Sequence, residues 1–158
     1  MRLVKSMIKR ALGLFIVVLC LAGCETTIGQ DGPMALKRQG SSLNIAVCKS
    51  VSVTSLSMSS RQPAQNQKWQ PFWNGAGKGS ITKGDILSTA ATSSVFLEGE
   101  TKVSPPVGPS TEYDVLLLGS HESDSLRATF STGPQGLSES SWLHPDGTYT
   151  EEPCPATP

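Results

Sequence analysis

Tyr113-Asp114-Val115-Leu116-Leu117-Leu118 is the stretch on which the fold turns. Residues 115–118 are continuously apolar, the pattern of a β-strand buried on both faces. Downstream, Leu126, Ala128 and Phe130 alternate with Arg127, Thr129 and Ser131. That period of two marks a half-exposed strand. Gly133-Pro134-Gln135-Gly136 then turns the chain into residues 137–143, and Asp146-Gly147 marks a tight turn before Tyr149.

Upstream, Pro105, Pro106, Gly108 and Pro109 enforce an extended connection outside any sheet. Residues 95–97 and 101–103 around Gly99 read as a hairpin. Residues 81–91 are ambiguous: Ile86 and Leu87 suit a strand, Ala90 and Ala91 the end of a short helix. Gly75, Gly77, Lys78, Gly79 and Ser80 superficially suggest a phosphate loop. Gly79 stands where such a loop needs Ser or Thr, so a flexible turn is the better reading. Trp69, Phe72 and Trp73 are the densest aromatic cluster. Their spacing fits one helix face, but Pro71 argues against a regular helix. The rings either stack on sugars or fill the core.

Folded sequence is expected to start at Leu43, because Leu43, Ile45, Val47, Val51 and Val53 keep a period of two. Leu56 and Met58 keep the period and switch face, which implies a bulge near Ser55. Turns rich in Gly and Pro between about seven or eight short strands predict an all-β domain, a small antiparallel sandwich or barrel.

The amino terminus carries a different message. Arg2, Lys5, Lys9 and Arg10 precede an uncharged apolar run over residues 11–23. A basic head and an apolar run too short to span a bilayer comfortably match an export signal. The run ends in Leu21-Ala22-Gly23-Cys24, which resembles the lipobox of bacterial lipoproteins. The resemblance covers these first two dozen residues only. It implies cleavage before Cys24 and acylation of that cysteine, with two or more chains giving stable attachment. Glu25, in place of the Asp that retains such proteins in the inner membrane, implies outer-membrane sorting. The implied organisation is a signal over 1–23, a lipidated Cys24 with a flexible tether over 24–42, and a β-rich periplasmic domain over 43–158. A polar tether of that length typically reaches about 25 Å.

Whole-chain charge balances at thirteen basic and thirteen acidic residues. Without the four basic residues of the signal, nine basic groups face thirteen acids. Arg127 is the one basic residue after position 103, so the second half is acidic. No basic cluster exists to displace phosphate counterions, which argues against a nucleic-acid partner. With Cys20 discarded and Cys24 acylated, Cys48 and Cys154 remain in an oxidising compartment. A disulfide is the simplest outcome, with two free thiols or a bond to another chain as alternatives. Closing so long a loop would stabilise by about 4 to 5 kcal/mol in the chain-entropy picture.

Catalytic signals are weak. His121 has Glu122 and Asp124 beside it, but Ser120 and Ser123 lack the nucleophile-elbow pattern. His121 and His144 both sit in turn-forming sequence and read as exposed turn residues. Two cysteines and two histidines without ligand spacing do not form a metal site. The expectation is therefore a protein that is not an enzyme and holds no metal or cofactor. It would be a protein-binding or assembly component of the bacterial envelope, of the kind that serves a secretion or transfer apparatus. The alternative is a glycan- or peptidoglycan-binding module using Trp69, Phe72 and Trp73, or an inhibitor of a basic wall-degrading enzyme.

Overall fold

In the computed structural model, which describes residues 30–90, 98–101 and 104–154, the chain is built of strands and two short 3-10 turns, Pro63–Gln65 and Glu122–Asp124. The first strands are β1 (Gln30–Asp31), β2 (Met34–Gln39), β3 (Ser42–Val47), β4 (Val51–Arg61) and β5 (Gln70–Ile81). They are followed by β6 (Ile86–Ser88), β7 (Glu98–Thr101), β8 (Glu112–Gly119) and β9 (Leu126–Ser131). A last hairpin pairs β10 (Trp142–Leu143) with β11 (Tyr149–Thr150).

Two sheets result, one ordered β1-β9-β8-β4-β5-β7 and the other β11-β10-β2-β3-β6. All pairings are antiparallel except β1 on β9. Neither sheet closes on itself among the described residues, and both contribute to one hydrophobic core. Leu36, Leu43 and Ile45 come from the smaller sheet; Leu56, Val115 and Phe130 come from the larger. The architecture is thus sandwich-like, with more strands than the sequence pattern separates, because several span only two or three residues.

The stretch at 113–118 lies at the heart of the larger sheet, between β4 and β9. It is buried on one face rather than two. Tyr113, Val115 and Leu117 are fully enclosed, whereas Leu116 and Leu118 are half-buried on the outer face. Leu116 lies beside Ser57 and Arg127, short or snorkelling partners that cover it incompletely. Residues 126–131 alternate as expected.

The bulge expected near Ser55 is present: the register of β4 shifts between Val53 and Ser55 against both neighbours. Against β8 this leaves Thr54 as one extra residue of β4, so Leu56 and Met58 return to the core face. A second shift opposite Met58 and Ser59 leaves Phe72 as the extra residue of β5. Phe72 and Trp73, though adjacent, are therefore both buried.

Three expectations are corrected. The tether predicted over 24–42 cannot extend through its second half, because Met34, Ala35 and Leu36 are buried in β2 and pair with β3. The glycine-rich run is the second half of β5, not a flexible turn. Gly99 lies inside β7, opposite Gly75, rather than at a hairpin tip; residues 95–97 and 102–103 lie outside the described residues. The ambiguous 81–91 region resolves into β6 at Ile86–Ser88, and residues beyond 90 there are also outside them.

Cys48, just past β3, is bonded to Cys154, with Cα atoms 5.3 Å apart. Cys154 also packs against Ala35, Ala46 and Trp142 on the outer face of the smaller sheet. Lys37 lies over the Trp142 ring at 4.4 Å.

Candidate functional site

β4 ends at Arg61 and β5 begins at Gln70, with the Pro63–Gln65 turn and a polar segment between them. Pro63 fixes the turn, and Asn66 closes it in a left-handed conformation (φ 53°) that Asn tolerates well. This connection folds back on the strand ends and leaves a groove of about 420 Å³. Arg61, Gln62, Gln67, Gln70, Phe72 and Thr111 line it.

Arg61 organises the groove. Its Nε donates to Glu112 Oε2 at 2.6 Å across the β4–β8 pair. Its guanidinium lies 4.5 Å from the Trp69 ring centroid, a cation–π contact. One anchored cation thus joins the groove to a half-buried indole in contact with it. Gln67 Nε2 donates to Gln65 Oε1 at 2.7 Å, which orders the connecting segment. Phe72 forms the floor and meets Tyr113 edge-on, with ring centroids 6.4 Å apart. The Tyr113 hydroxyl donates to the Pro106 carbonyl and pins the proline-rich connection to the core. Burial pushes the Tyr113 phenol well above its ordinary value, so it remains a neutral donor.

The aromatic cluster therefore divides. Trp73 belongs to the core, Phe72 has a share in both core and groove, and Trp69 alone is partly open. Arg61, Gln62, Gln67 and Gln70 are the site residues that sequence patterning overlooks. The signal available was a glutamine-rich polar stretch leading into an aromatic one. No known protein family, curated protein or solved structure matches the chain. Side-chain amides and a guanidinium beside an aromatic ring offer donors, acceptors and a flat apolar surface together, an arrangement suited to polyhydroxylated ligands.

Other candidates fall elsewhere. Cys24 lies outside the described residues. Cys48 and Cys154 form the expected intramolecular disulfide, which removes the alternatives of free thiols or an interchain bond. His121 stands exposed before the Glu122–Asp124 turn. His144 is half-buried rather than exposed and lines a different cavity beside the disulfide. Among the described residues no three or more His, Cys, Asp or Glu side chains are grouped to hold a metal ion. Three acids of the second half are paired with arginines: Glu112 with Arg61, Asp114 with Arg127 at 2.9 Å, and Glu139 with Arg38 at 3.1 Å.

Proposed function

We propose that this protein is an outer-membrane-anchored lipoprotein whose β-sandwich is a protein-binding or assembly component of the bacterial envelope, of the kind that serves a secretion or transfer apparatus. The observation that carries this reading is Leu21-Ala22-Gly23-Cys24, placed directly after a basic head and a short apolar run. The Cys48–Cys154 disulfide supports export, since such bonds persist in oxidising compartments. Acylation of Cys24 would hold the domain at a membrane while leaving its surfaces open to partners.

Palmitate labelling of cells producing the wild type and Cys24→Ser tests the anchor. Label in the wild type and none in the variant, which also leaves the membrane fraction, is the expected result. Equal labelling of the two removes the anchor. Crosslinking in living cells, followed by recovery of the protein from membranes, tests the role. A reproducible envelope protein in the crosslinked product supports assembly; recovery of the protein without any specific partner opposes it.

A second reading, a glycan- or peptidoglycan-binding module, is favoured by the amide-lined groove and by half-buried Trp69, which stacks on its Arg61. Titration with purified wall fragments should shift Trp69 emission in the wild type and leave Trp69→Phe unresponsive. An unchanged wild-type spectrum argues against it. The inhibitor reading has less support, because three acids of the second half already face arginines of this chain.

A further inference from the structure

A second cavity of about 540 Å³ lies beside the disulfide, between the turn at 82–85 and the β10–β11 hairpin. Its size falls within the usual range for small-molecule sites. Its apolar lining comes from Met34, Pro33, Pro145 and the Cys48–Cys154 bridge. Its polar side chains are few and of both signs: Lys83, His144, Asp146 and two threonines.

Hydrogen bonding fixes the states of two of these groups. The Thr150 hydroxyl has a single hydrogen and donates it to the Glu152 carbonyl at 2.5 Å. Toward His144 Nε2, 2.7 Å away, it can then only accept. His144 therefore carries a proton on Nε2, and in its neutral form Nδ1 is a lone-pair acceptor. Asp146 Oδ1 receives both the Thr148 amide at 2.9 Å and the Thr148 hydroxyl at 2.7 Å. Those bonds, the hydroxyl first, hold its carboxyl below the usual range and keep it ionised. A cation thus shares the cavity with a fixed anion, beside an apolar surface.

We propose that this cavity binds a zwitterionic amino acid or short peptide with an apolar side chain. Lys83 receives the carboxylate, Asp146 the ammonium, and the side chain rests on Pro33, Pro145 and the disulfide. The site is separate from the Trp69 groove and does not depend on lipidation.

The test is titration of the full-length protein with L-alanyl-L-leucine, its N-acetylated form and its C-terminal amide, followed by amide NMR shifts. Binding of the free dipeptide should perturb residues of the 82–85 turn and the hairpin. Each blocked analogue, and each of Lys83→Ala and Asp146→Asn, should bind about tenfold more weakly or less, the worth of one charge-assisted hydrogen bond. Lys83 lies on an exposed turn, so that variant decides the matter if Asp146→Asn does not fold. Absence of shifts at millimolar dipeptide overturns the proposal. Equal affinity for the acetylated form does so too, since it would reveal a simple anion site.

Discussion

A methyl group on Gly75 would fall inside the indole of Trp73, two residues earlier on the same face of β5. The ring occupies the space that a side chain at 75 would take and covers the backbone there. Gly75→Ala should therefore force the ring or the strand to move, at about 1–3 kcal/mol. Chemical denaturation of the variant measures this. A neutral effect would mean that the indole has room to swing away.

The two tryptophans flanking Phe72 should behave differently. Trp73→Ala empties a core site and should cost about 3–5 kcal/mol. Trp69→Ala removes a surface cation–π contact and should cost less than about 1 kcal/mol. Urea unfolding of both variants checks the contrast. Similar losses would place Trp69 in the core as well.

The Cys48–Cys154 bond spans 106 residues of sequence. Reduction, or the paired substitution Cys48→Ala with Cys154→Ala, should lower stability by about 2–5 kcal/mol. The paired variant should unfold at the same urea concentration with and without reductant, and the wild type should not.

Much of this was readable in the chain before its coordinates. β8 and β9 announce themselves through apolar density and alternation, and the face switch at Leu56 locates the bulge. Three features escape such reading. β2 is missed because Met34-Ala35-Leu36 is followed at once by Lys37 and Arg38 and flanked by Pro33 and Gly40, which mask a short buried strand. The second half of β5 is missed because glycines usually signal turns; here one of them makes room for an indole. The groove is missed because Arg61 meets Glu112 and Trp69 only after β4 and β8 pair, a relation of distant residues that local pattern does not encode.

Tyr113 gives the fold an alkaline limit. Burial raises its pKa, so the unfolded chain loses this proton first. Its contribution is fully present below the ordinary value of 10.0 and is lost as pH climbs past it. Tyr113→Phe should flatten that decline. At neutral pH it should cost about 1–3 kcal/mol, because the Pro106 carbonyl loses its donor. Parallel alkaline slopes for the two proteins would assign the limit to other groups.

Asp146 should titrate below the ordinary 3.8 because Thr148 donates to it twice. Whatever stability this adds is present above that value and fades as pH falls through the lowered one. Carboxyl NMR should find the Asp146 midpoint nearer the ordinary value in Thr148→Val. An unmoved midpoint would credit the backbone amide alone.

β4 runs from Val51, near the bridged cysteines, to Arg61 at the groove, a distance of roughly 30 Å at strand rise. Gly32 and Pro33, where the described chain enters its first long strand, lie at the cysteine pole. A body suspended from its amino terminus would therefore turn the Arg61 pole outward, like the head of a lamp on its stalk. With Cys24 acylated as proposed, the cavity beside the disulfide would face the membrane instead, so the two recesses would sample different distances from it.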